Sequence, residues 1–168
     1  DKSVDDLGEV AGGEIVMVEV RLTHIDGKLP NLALMKLAHW HKEQGDRVTL
    51  ARTPSPSMFE PRYDLVYGSS IFHWSSGKVV RALQEAFPDA VIGGTGTDTV
   101  ETVEQVLGVD EYEHYDYSVY PEYEWSIGFT QRGCRLNCGF CVVPKKEGKP
   151  KSVNSIWDIW REGTPRSV

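Results

Sequence analysis

The sequence predicts an α/β chain built on an open, largely parallel sheet with helices on both faces. Three observations carry this. Short apolar, β-branched runs alternate with segments whose apolar residues recur at helical spacing. Glycine or proline punctuates most junctions between them. The loops THIDG, YGSS and GGTG, which follow the apolar runs, are small-residue turns placed where such sheets hold ligands, off the carboxyl ends of their strands.

Taken in order, Asp1 to Gly13 is acidic and without periodicity and reads as a loose leader; the missing initiating Met suggests a processed or excised piece. Glu14 to Leu22 has the β-branched, apolar character of a buried strand. Pro30 suits a helix start, and from Asn31 to Gln44 the residues Leu34, Leu37, Ala38 and His41 recur at helical spacing up to Gly45, a fitting stop. His39 and His41 flank Trp40 on different helical faces, which argues for packing or exposure and against a joint metal site. Arg47 to Ala51 reads as a second strand and TPSPS as a turn-rich connection. Tyr63 to Gly68 is a third strand that delivers Ser69 and Ser70 to a loop. Val79, Ala82, Leu83 and Ala86 mark a helix face closed by Pro88, and Ala90 to Ile92 is a short strand running into GGTGTD. Asp98 with Glu101 predicts a capping box for a helix from Thr99 to Leu107, which Gly108 ends.

Glu111 to Trp125 holds five of the seven tyrosines among acidic residues. It could stack a flat ligand or link two units by packing its rings over both, and we read it as the linker. Trp125 to Thr130 is then the first strand of a second unit. In that unit Ser155 to Asp158 can cap a short helix containing Ile156, Trp157, Ile159 and Trp160, ended by Gly163 and Pro165. The expected organisation is a leader (1–13), an α/β unit (14–110), a linker (111–124) and the start of a second unit (125–168).

A formal charge of -7 argues against a general nucleic-acid surface. A local basic patch at Lys145, Lys146, Lys149 and Lys151 reads either as a solvated loop or as a phosphate contact. No run approaches the roughly 18 apolar residues of a membrane helix, and nothing resembles a signal peptide.

All three cysteines, Cys134, Cys138 and Cys141, lie on one glycine-punctuated loop with the spacing C-x3-C-x2-C. An odd number cannot pair off into disulfides. Ordinary structural zinc and iron-sulfur sites take four protein ligands, so three thiolates on one loop point to a metal centre with an open coordination position. Unpaired thiols suit a reducing cytoplasm.

The segment IGFTQRGCRLNCGFCVVPKKEG resembles the cluster loop of radical S-adenosylmethionine enzymes, including Phe140 just before the third cysteine. The resemblance implies that Cys134, Cys138 and Cys141 hold a 4Fe-4S cluster and that its open iron binds S-adenosylmethionine. Phe140 would then lie by the adenine, chiefly through its backbone. One electron, from a donor such as flavodoxin or ferredoxin, would yield a 5'-deoxyadenosyl radical that acts on an unknown substrate, small-molecule or macromolecular. The family's (β/α) barrel needs on the order of 200 residues. Only its first unit fits here, so the resemblance implies an N-terminal fragment, inactive alone, whose remainder lies beyond Val168.

The first unit, with PNLALMKLAHWHKEQGDRVTL, YDLVYGSS and IGGTG, resembles the Rossmann-like, cobalamin-binding-type domain that precedes the barrel in many of these enzymes. That resemblance implies cobalamin as a possible cofactor at His24, Ser69, Ser70, Gly93 and Gly94; if it binds, methyl transfer to an unactivated carbon becomes the leading reaction. In the family's D-x-H-x-x-G loop the Asp orients the His ligand, and Leu22 replaces it here. The glycines could equally serve only tight strand-to-helix turns. The chain also resembles transfer-RNA methylthiotransferases in layout, but it lacks the three further cysteines their first domain carries. Readings of another class are a non-catalytic interaction module holding zinc, with His114 or a partner chain as fourth ligand, and an iron-sulfur electron carrier.

Overall fold

The computed structural model describes residues 17–74, 77–99, 101–136 and 138–163. The leader, Glu14 to Val16 of the first predicted strand, and Pro165 lie outside them. Four parallel strands, β1 (Glu19–His24), β2 (Arg47–Ala51), β3 (Leu65–Ser69) and β4 (Val91–Gly93), form one sheet in the order β2-β1-β3-β4. The protein is thus a mixed α/β structure with a parallel sheet flanked by helices. As a central strand, β1 pairs on both sides. Its register runs through Thr23↔Ala51 and His24↔Ser69, which carries it two residues past the predicted end at Leu22.

Helix α1 (Leu32–Glu43) starts where the Asn31 side chain accepts from Ala33 N and Leu34 N, and it stops before Gly45, whose φ of 85° few other residues tolerate. Pro30 precedes the cap and so lies just outside the helix. Leu34, Leu37 and Ala38 bury against Val20, Leu22 and Tyr67 on one sheet face. On the other face α2 (Gly77–Ala86) presses Leu83 onto Ile25 and Val66. Gly68 allows this close approach, because a Cβ there would stand 2.7 Å from Leu83 Cδ2 and force that side chain to shift.

The connection from β2 to β3 has no helix. Its place is taken by Arg21, fully buried, which donates to Glu60 (3.0 Å), Thr23 (2.7 Å) and the Thr53 carbonyl (2.9 Å) and lies over the Phe87 ring.

The predicted Asp98/Glu101 capping box is not formed. Thr99 Oγ1 donates to the Ile92 carbonyl and Thr97 Oγ1 accepts from Thr99 N, so this stretch is a turn tied to β4. Helix α3 (Val103–Leu107) begins later, and its box is Thr102 with Gln105. Gly108 ends it as expected, at a φ of 69°. Thr102→Ala is expected to destabilise the protein by about 1 kcal/mol in urea unfolding, because Gln105 N loses its acceptor.

Trp125 to Thr130 is not a strand. The Tyr117 hydroxyl accepts from Ile127 N (3.0 Å) and has its one proton between the carbonyls of Ile127 (2.8 Å) and Ile159 (2.7 Å), so a side chain takes up a backbone group that a strand would offer to a neighbour. Pairing begins further on, where β5 (Gln131–Arg132) meets β6 (Lys151–Ser152) in an antiparallel pair, with the short helix α4 (Val143–Lys146) between them. The predicted helix after Ser155 is a pair of turns, with Asp158 N bonded to the Ser155 carbonyl and Trp160 N to that of Trp157. Ile156 and Trp157 are exposed, so no apolar surface repays the ordering of so short a helix. Ile159 alone is buried there, with Met35, Tyr115 and Tyr120. The tyrosine-rich stretch therefore packs α1 against the second unit, whose backbone its rings also touch.

Candidate functional site

The carboxyl ends of β3 and β4 open into a cavity of about 830 Å³. Ser69, Ser70, Gly93 and Gly94, predicted together, all line it. Asn31 donates to Ser69 Oγ (2.9 Å), and Ser70 Oγ donates to Asp26 (2.8 Å). Gly94 has a φ of 108° and a Cβ there would meet the Ser70 carbonyl at 2.0 Å, so this glycine is fixed by a tight turn. The opposite wall comes from the second unit, with Ile127, Arg132, Lys146 and Lys151.

A chain of ions crosses from α1 to the cysteine loop. Lys36, 1 % exposed, bonds Glu104 and Glu113, each at 2.7 Å. Arg132 bonds Glu113 (2.9 Å) and Glu147 (3.0 Å). Glu147 in turn accepts from Gly133 N (2.9 Å), and Cys134 N donates to the Gly148 carbonyl (3.1 Å). Burial raises the Glu113 carboxyl, but the bonds from Lys36, Tyr115 and Arg132 outweigh it and hold the group below the usual carboxylate range. The sequence reading missed Lys36, Glu113 and Arg132. A lone cation inside the apolar run LALMKLA was the available signal for Lys36.

All three cysteines are free thiols, partly buried on one loop. Leu136 N already donates to Cys134 Sγ at 3.4 Å, the kind of N–H···S contact that supports a cluster ligand. In donor type, three free thiols on one loop are what an iron-sulfur centre takes. The sulfurs are not gathered around one point, since no three His, Cys, Asp or Glu side chains among the described residues form a group that could hold a metal ion. Phe140, 95 % exposed, stands in solvent at the tip of the loop. His114 stacks on His39 at 5.3 Å between centroids and joins no such group. His39 and His41 serve separate partners, Tyr112 and Asp46.

At the base of the loop, Gly133 has a φ of 78° and a Cβ there would lie 2.2 Å from the Lys149 carbonyl. Gly133→Ala is expected to cost more than about 1 kcal/mol of local stability. Faster labelling of Cys134 by a thiol reagent would report it, with global unfolding little changed.

His24 is not in the cavity lining. Tyr120 Oη lies 3.0 Å and Arg52 Nη1 3.3 Å from its Nδ1. A guanidinium can only donate, so Nδ1 is the acceptor and the neutral ring carries its proton on Nε2. That Nε2 is buried without a hydrogen-bond partner among the described residues. Burial first, then the Arg52 charge, hold the imidazole below the usual histidine range. A protonated Nε2 is no metal ligand, and a cation beside Nδ1 does the opposite of the orienting carboxylate that Leu22 replaces. The residues present do not fit a histidine-ligated cobalamin.

Comparison of the chain with protein-family models, curated proteins and solved structures finds no match. Among the described residues no helix is long and apolar enough to cross a membrane.

Proposed function

We propose that this chain is the N-terminal part of a radical S-adenosylmethionine enzyme, with a cobalamin-binding-type α/β unit ahead of the first unit of the catalytic barrel. The observation that carries the reading is the set of three free thiols at C-x3-C-x2-C spacing on one loop. Cys134, Cys138 and Cys141 would hold a 4Fe-4S cluster, which when bound supplies the electron for reductive cleavage of S-adenosylmethionine to the 5'-deoxyadenosyl radical.

The chain's own residues act by positioning. Glu147 and the Gly148 carbonyl fix the backbone at Gly133 and Cys134. Arg132, held by Glu113 and Glu147, ties that point to α1 through Lys36. Leu136 N contributes a donor to the first sulfur. Phe140, free of packing, is available to a ligand. The substrate is a small molecule or macromolecule of unassigned class, the electron donor is of flavodoxin or ferredoxin type, and the setting is the cytoplasm.

The test is anaerobic reconstitution with iron and sulfide, followed by electron paramagnetic resonance of the reduced protein with and without S-adenosylmethionine. A cluster signal that shifts on adding the cofactor supports the reading. A cluster indifferent to it favours an electron carrier, and zinc bound in place of iron overturns the radical assignment.

A further inference from the structure

The cavity at the ends of β3 and β4 plays no part in the chemistry proposed for the cysteine loop, and its charges are incompletely matched. Of five cations lining it, three are neutralised: Lys36 by Glu104 and Glu113, Arg132 by Glu113 and Glu147, and Lys151 by Glu111. Lys145 and Lys146 line the same space with no carboxylate in ion-pair reach among the described residues.

Lys146 is the informative one. It is partly buried, and its Nζ reaches the Gly94 carbonyl at 3.4 Å, longer than the usual 2.7–3.2 Å of an N–H···O bond. Burial pushes its ammonium pKa down, as expected where desolvation is not offset. The unpaired carboxylates on the wall, Glu101 and Asp110, are exposed and so solvated and screened. The remaining wall is largely apolar, including Ile92, Val106 and Ile127, and the volume falls within the range of pockets that enclose small organic ligands.

We propose that this cavity binds a small organic anion, with Lys146 as its counter-ion, Lys145 beside it, and the apolar part of the ligand against Ile92, Val106 and Ile127. The site joins the α/β unit to the segment carrying the cysteines, and it is independent of whether those cysteines hold a cluster.

The experiment uses the full chain without iron and 8-anilinonaphthalene-1-sulfonate, a fluorescent aromatic sulfonate, as the probe. The native protein is expected to bind it saturably at one site. Lys146→Gln should weaken binding about tenfold, while Lys149→Gln, an exposed lysine outside the cavity lining, should leave it unchanged. Raising the salt from about 0.1 M to about 1 M should weaken binding in the native protein more than in Lys146→Gln. Thermal unfolding of each variant shows that the fold is retained. Equal binding by the native protein and Lys146→Gln, or equal losses in Lys146→Gln and Lys149→Gln, would overturn the proposal.

Discussion

Replacing Cys138 with Ala is expected to abolish the reduced-cluster signal after anaerobic reconstitution, and to reduce bound iron from ~4 per chain to near zero. The middle cysteine leaves its neighbours seven residues apart in sequence, Cys134 and Cys141. Among the described residues the loop between them has little else to hold it, since Phe140 and Leu136 are exposed and the backbone closes on itself through Cys141 N to the Cys138 carbonyl at 3.0 Å. Two thiolates on such a loop would not retain four irons. Because no core residue is touched, circular dichroism and thermal unfolding of the iron-free variant should match the parent. Iron and signal equal to the parent's would show that Cys138 is not a ligand and would remove the basis of the radical reading.

The second large effect is on stability. Lys36→Met is expected to cost roughly 3–5 kcal/mol at neutral pH, the usual penalty for stranding buried charge. The lysine side chain is 2 % exposed, and its two carboxylates, on Glu104 and Glu113, are 20 % and 12 % exposed. Adding Glu104→Gln to Lys36→Met should recover part of the loss, since Glu104 is the carboxylate left without its cation while Glu113 keeps Arg132.

The pH dependence follows from the same groups. Burial pushes Glu104 and Glu113 up, but bonding to Lys36 outweighs it, so both titrate below their ordinary value of 4.5 in the folded protein. A depressed carboxylate contributes stability that is fully present above its unfolded pKa and disappears as pH falls through the folded one. The gap between parent and Lys36→Met should therefore be widest near neutrality and narrow as pH drops below about 4.5. Urea unfolding at neutral pH and in acid measures it. A gap that stays constant with pH would assign the cost to packing alone.

Local pattern is most informative in the first unit. The helix from Asn31, the strand Arg47–Ala51, the stop at Gly108 and the gathering of Ser69, Ser70, Gly93 and Gly94 at one sheet edge follow from periodicity, caps and glycines, all of which act locally. The three thiols on one loop were equally legible. The second unit was not. Trp125 to Thr130 has strand-like residues, yet Ile127 N is satisfied by a hydroxyl ten residues away, on Tyr117, and a strand depends on a neighbouring strand that local pattern does not name.

Long-range packing alone sets Arg21 where a connecting helix would stand, and Lys36 among acids beside the tyrosine-rich stretch. Packing also sets the His24 imidazole beside a guanidinium and leaves Lys146 facing a cavity with no counter-ion among the described residues. These are properties of charges, whose state is set by partners distant in sequence and by how much water the fold removes around them.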